Sequence, residues 1–97
     1  MKTLRFTPTA AQQLKALEAD PGLEKRLKAV RKALGLMQTN LRHSGLRTHE
    51  YTSLRGASGE KVFEAYAESK TPVAYRIFWH YGPDRDELTI VAITPHP

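Results

Sequence analysis

The sequence predicts an α+β fold, an N-terminal helical hairpin packed on a small three- to four-stranded antiparallel sheet. Two periodicities and one breaker carry this. Leu23, Leu27, Val30, Leu34 and Met37 recur at helical spacing, so all five share one helix face. From Lys61 the period changes to two, with Val62, Glu64, Tyr66 and Glu68 on one side of a strand and Phe63, Ala65 and Ala67 on the other. Asp20-Pro21-Gly22 interrupts the helical half. Helices in one half and strands in the other imply two layers around one core.

Met1–Phe6 reads as a short strand. Thr7-Pro8 opens the first helix, because proline suits the first helical position, and Thr9 with Gln12 fits a capping box. Leu14 and Leu17, with Ala10 or Ala11, give its inner stripe. Asp20 and Pro21 then start the second helix. Gly35 to Gly45 reads as mostly loop. A strand is expected over Thr48–Leu54, a turn at Gly56-Ala57-Ser58-Gly59, a strand over Lys61–Glu68 and a turn over Ser69–Pro72. Val73–Tyr81 is the richest strand, with Tyr75, Ile77, Trp79 and Tyr81 opposite Ala74, Arg76, Phe78 and His80. Gly82 to Asp86 is a hairpin turn. Leu88–Thr94 is nearly all apolar, as a strand covered on both faces would be. Pro95 and Pro97 are expected to end ladder pairing.

The chain has 97 residues, enough for a single domain over 1–97. Cysteine is absent, which removes disulfides, thiolate metal sites and thiol nucleophiles. His43, His49, His80 and His96 lack metal-ligand spacing, and no glycine-rich phosphate loop is present, so no metal or cofactor is expected. The apolar runs are too short to span a bilayer, and Met1–Phe6 is not followed by an export signal, which implies no membrane partner and a cytoplasmic protein.

The net charge of +5 is unevenly spread. Residues 1–55 hold eleven basic and four acidic side chains; residues 56–97 hold four and six. A basic half points to a polyanion-binding face, with Arg42, Arg47 and Arg55 and the helical Lys28, Arg31 and Lys32 as candidate phosphate contacts. The mildly acidic half leaves room for a protein partner.

From Leu46 onward the sequence resembles the RelE/ParE toxin superfamily. The similarity rests on a Leu-x-Gly turn (Leu54, Gly56), a strand with a central glutamate (Val62-Phe63-Glu64), a Tyr-Arg strand (Tyr75-Arg76-Ile77-Phe78) and a final apolar strand ending in Ile93-Thr94-Pro95-His96. The helical hairpin agrees with the family's N-terminal half. The resemblance implies the toxin of a type II toxin–antitoxin pair. RelE-type members cleave mRNA in the ribosomal A site, and ParE-type members inhibit DNA gyrase. A cognate antitoxin, with assembly into a dimer or a heterotetramer, is implied as well. A binding protein of the same fold without toxicity is a third reading.

Metal-independent RNA cleavage uses the substrate's own 2′-hydroxyl. It needs a base, a cation against the phosphorane-like charge and an acid for the leaving 5′-oxygen. By resemblance, Arg76 matches the phosphate-contacting arginine, and His96 stands where relatives carry a terminal arginine or histidine. Glu50 and Glu64 are the candidate bases. Arg42, Arg47, Arg55, Lys61 and Tyr66 are the candidate RNA contacts, Tyr66 by stacking on a base. The chain departs from the RelE type in having Glu64, Tyr66 and Glu68 where a lysine pair is usual.

Overall fold

Two helices lie on one face of a five-stranded mixed sheet in the computed structural model, which describes residues 1–70 and 73–96. In chain order the elements are β1 (Thr3–Phe6), α1 (Pro8–Ala19), α2 (Glu24–Thr39), β2 (His49–Arg55), β3 (Lys61–Tyr66), β4 (Tyr75–Tyr81) and β5 (Glu87–Pro95). The sheet order is β1-β5-β4-β3-β2. The α+β class stands, but the expected sheet of three or four antiparallel strands is corrected. The N-terminal segment pairs parallel to β5, with Thr3 opposite Glu87 and Phe6 opposite Ile90, and the helical hairpin carries the chain from β1 at one edge of the sheet to β2 at the other. The expected turn over Ser69–Pro72 lies partly outside the described residues.

Helix α1 starts where proline predicts, but its cap is Thr7 and not Thr9. The Thr7 Oγ1 accepts from the Ala10 N–H at 3.1 Å and donates to the Val91 carbonyl at 2.9 Å. Asp20 caps a 3₁₀ turn over Pro21–Leu23 that leads into α2, accepting from the Gly22 N–H at 2.9 Å. Helix α2 runs through Gly35 to Thr39, further than the expected loop start. Its buried stripe of Val30, Ala33, Leu34 and Met37 continues past the glycine, and that tertiary contact outweighs the roughly 1 kcal/mol propensity cost of one glycine.

The core lies between this stripe, Ala10 and Leu17 of α1, and the sheet face of Ala65, Ile77, Trp79, Leu88, Ile90 and Ile93. Ile90 and Ile93 are three apart, and simple alternation would put them on opposite faces. A bulge resolves this: Phe78 pairs with Ala92, while Trp79 pairs with Ile90. The apolar run of β5 therefore reflects a bulge that returns two isoleucines to one core, and not burial on both faces.

Beyond the end of β1, the outer edge of β5 is closed by α1. The Ile93 N–H donates to Gln13 Oε1 at 2.7 Å. Pro95, two residues on, has its missing N–H on that same outer edge, so it costs no ladder bond. Pairing continues, with Tyr75 opposite Pro95 and the His96 N–H donating to the Ala74 carbonyl at 2.9 Å. The expectation that Pro95 ends the ladder is thus corrected, and His96 is fixed to β4. Between β2 and β3, Gly56 admits no Cβ without striking the Glu60 carboxylate and His80. Gly59 sits at φ +85°.

Thr7→Ala removes the α1 cap and the grip on the bulge together. A loss of about 1–2 kcal/mol is expected, read as a lower urea midpoint and a melting temperature roughly 4–8 °C lower for each kcal/mol.

Candidate active site

Trp79 faces the helices, which turns Arg76 and Glu64 onto the other side of the sheet. There they are covered by β2, whose Tyr51 packs edge-on against Phe78 at 4.8 Å between ring centroids. Glu64 is only 1% exposed and Arg76 7%. Isolated, either charge would be costly to bury, so the value of the cluster lies in its pairing.

The carboxylate of Glu64 is its centre. Oε1 accepts from His49 Nε2 at 2.8 Å, and Oε2 accepts from His96 Nδ1 at 2.6 Å. Arg76 Nε lies 3.5 Å from Oε2. The far end of the Arg76 guanidinium donates to the Glu68 backbone carbonyl. Its plane stacks on Tyr66, 3.6 Å from the ring centroid. Arg47, at φ +46° after a 3₁₀ turn over Ser44–Leu46, places its guanidinium 5.7 Å from the same ring. The His49 Nδ1 bonds the Arg47 carbonyl at 2.9 Å. Four strands therefore meet at one carboxylate: β3 supplies it, β4 the arginine, and the start of β2 and the residue after β5 the two imidazoles.

The two histidines differ from the two charges in exposure. The side chains of His49 and His96 are 48% and 46% exposed. With Nδ1 held by Glu64, the remaining His96 nitrogen is Nε2. A buried carboxylate behind a surface imidazole fixes its tautomer and ring orientation, the relation that orients catalytic histidines.

The structure brings together Arg76, Glu64, His96 and Tyr66 from the sequence-predicted set, with Arg47 beside them. Four predicted residues stand elsewhere. Glu50 pairs with Phe63, which packs against the helix-side core, so strand alternation turns it away from Glu64. Its neighbour His49 takes the position opposite Glu64. Arg55 and Lys61 pair with each other at the far end of the β2–β3 hairpin, on exposed positions. Arg42 belongs to the loop before β2 and is taken up below. His49 is the residue the sequence reading missed. Its signal was the alternation of β2, where His49 and Tyr51 share a face, but the pairing partner could not be read from one strand alone. Among the described residues no group of three or more His, Asp or Glu side chains is arranged to hold a metal ion.

His80 shares this face with Arg76 but lies four residues along the strand, roughly 13 Å away. It is buried, bonds the Tyr81 carbonyl through Nδ1 at 2.7 Å, and borders Glu60. The Glu60 carboxyl is held below its ordinary value of 4.5 by hydrogen bonds from its own and the Ser58 backbone N–H, helped by the charge of His80.

With the geometry in place, the fold can be compared: the chain shares it with solved YoeB/ParE and RelE proteins. It superposes on the YoeB/ParE toxin from Agrobacterium tumefaciens with a TM-score of 0.70 at 7% identity, covering 98% of this chain and 99% of that one. The YoeB dimer from Staphylococcus aureus gives 0.64 at 14% identity, covering 99% and 98%. The archaeal RelE–RelB complex from Pyrococcus horikoshii OT3 gives 0.63 at 13% identity, covering 97% and 93%. Comparison of the sequence with family models and with curated proteins returns no match. No described helix is long and apolar enough to cross a membrane.

Two outcomes follow. Glu64→Ala leaves the Arg76 charge buried without its counter-ion and should cost about 3–5 kcal/mol, whereas Glu64→Leu combined with Arg76→Met should recover most of it; urea unfolding of the three chains measures the difference. Because the Glu60 value is lowered on folding, its stabilisation is present above the unfolded carboxyl value and is lost as pH falls through the lower folded one. Glu60→Gln should therefore flatten the fall of the urea midpoint below about pH 4.5 relative to the parent chain.

Proposed function

We propose that this chain is the toxin of a type II toxin–antitoxin pair and acts as an endoribonuclease on mRNA at the ribosome. The observation that carries the reading is the Glu64 carboxylate holding two surface imidazoles against a buried arginine. A pair of imidazoles is what in-line cleavage by a 2′-hydroxyl needs. His49, with Nε2–H held by Glu64, takes the 2′-hydroxyl proton at Nδ1 once that nitrogen has left the Arg47 carbonyl and released to solvent the proton it donates there. The 2′-oxygen forms its bond to phosphorus as the bond to the 5′-oxygen breaks. His96 gives its Nε2 proton to that leaving oxygen. The products are a 2′,3′-cyclic phosphate and a 5′-hydroxyl end.

Glu64 acts in this scheme as a positioning residue. Both its oxygens are occupied and it is too buried to reach a hydroxyl, so the base role that the sequence reading gave to Glu50 or Glu64 passes to His49. Arg76 lies against the carboxylate and stacks on Tyr66, and Arg47 is an exposed cation beside the same ring. The toxin assignment draws on the fold shared with the YoeB/ParE and RelE proteins. An antitoxin partner for this chain is proposed by analogy with the RelE–RelB complex, and self-association by analogy with the YoeB dimer.

His96→Gln and His49→Gln, both at half-exposed positions, should each slow cleavage of a translated message by about 10²–10⁴. Each should melt within a few degrees of the parent chain. An intact message, together with inhibition of gyrase supercoiling, would overturn the ribonuclease reading in favour of a gyrase-directed toxin.

A further inference from the structure

A second concave surface lies on the opposite side of the sheet from the Glu64 carboxylate, beyond the reach of the two helices. It is a cleft of about 710 Å³ between the loop before β2, the N-terminal segment and the end of β4. Its floor is aromatic. Trp79 and Tyr81 lie edge-on at 4.9 Å between centroids, and Phe63 packs against both, at 5.1 Å and 5.7 Å. Trp79 is completely buried and its indole N–H has no hydrogen-bond partner. Tyr81 is 55% exposed, unusual for a ring in a central strand.

The rim is cationic. Lys2, Arg42 and Arg47 border the cleft, and among the described residues none of the three is in an ion pair. Elsewhere the exposed arginines Arg5 and Arg31 are held by Glu87 and Glu18. Unpaired cations around an exposed aromatic ring suit a ligand with both negative charge and flat apolar faces. Single-stranded nucleic acid has both, the phosphates for the rim and the bases for the ring. An acidic peptide would answer the charge and leave the exposed ring without a stacking partner.

Arg47 stands between the cleft and the imidazole site. It borders the cleft and at the same time lies over Tyr66, the ring on which Arg76 stacks. A strand passing Arg47 leads from one surface to the other around the end of β2.

We propose that this cleft is a single-stranded RNA subsite, in which Tyr81 stacks a base several nucleotides from the cleaved linkage and Lys2 and Arg42 hold the phosphates there. The identity of the strand rests on the ribonuclease reading, but the subsite is tested apart from it. Trp79 is the only tryptophan in the chain, so its emission reports on the cleft directly. The probe is a short oligoribonucleotide made uncleavable by 2′-O-methyl groups and titrated into the intact protein.

The expected result is a saturable change in Trp79 emission. Tyr81→Ala should weaken binding about tenfold and raise KM for cleavable RNA by a similar factor at unchanged kcat. Removing Lys2 and Arg42 together should flatten the plot of log affinity against log salt by about 0.7 for each lost contact. Thermal melts of the variants, all at solvent-facing side chains, confirm that they are folded. Binding that leaves Trp79 emission and the Tyr81→Ala affinity unchanged overturns the subsite. So does a polyglutamate peptide that displaces the RNA at equal charge concentration, which would identify the cleft as a surface for an acidic protein. A chain that binds the probe in this way but cleaves no message keeps the subsite and loses the ribonuclease reading. Cleavage that depends on His96 but is indifferent to Tyr81 does the reverse.

Discussion

The carboxylate of Glu64 is the constraint on which the open face of the sheet depends. Removing a carboxylate from water carries a penalty of several kcal/mol, and only partners held at fixed positions offset it. Here they are delivered by strand register. Glu64 faces Phe78 across β3–β4 and His49 across β2–β3, which brings Arg76 and His49 to one end of the central strands. His96 arrives by bonding the Ala74 carbonyl at the same end. A one-residue slip of any strand would turn its contribution to the helix side. The cluster thus specifies register as much as it supplies chemistry.

Delivery of His96 begins far away in the sequence. Thr7 caps α1 and holds the bulge at Val91, and Gln13 of α1 takes the Ile93 N–H. The bulge lets β5 keep Ile90 and Ile93 in the core and still run on to Pro95 beside Tyr75. His96, the residue after β5, is held at its backbone by the Ala74 carbonyl and at its ring by Glu64, with its side chain 46% exposed.

Much of this was legible in the sequence wherever one face of an element is buried. The stripe of α2, the alternation of β3 and β4 and the proline start of α1 are all core-driven patterns. What the sequence hid are pairings between distant segments. The parallel partner of β1 has no local signal. The reach of α2 through Gly35 is decided by packing that a local propensity cannot register. In the site, Arg76, Glu64 and His96 could be singled out by residue type and resemblance, since a charge within an apolar strand stands out. Glu50 is singled out by the resemblance, since some relatives place a glutamate in that segment, and nothing within β2 says which of two adjacent residues faces Glu64. The basic residues were legible as a set but not as a place: Arg42 and Arg47 share a cleft, whereas Arg55 and Lys61 lie at the other end of the hairpin.

Charge and site then fit one another through what cancels. Glu64 and Arg76 neutralise each other inside the protein, so the net +5 of the chain belongs to its surface. Among the described residues Arg42 and Arg47 are in no ion pair, while Arg5, Arg26 and Arg31 are tied to Glu87, Glu68 and Glu18. A polyanion approaching such a surface is drawn by the field of the whole molecule and held where the counter-ions are missing. The internal pair adds little to that field. Its contribution is to keep the two imidazoles in place.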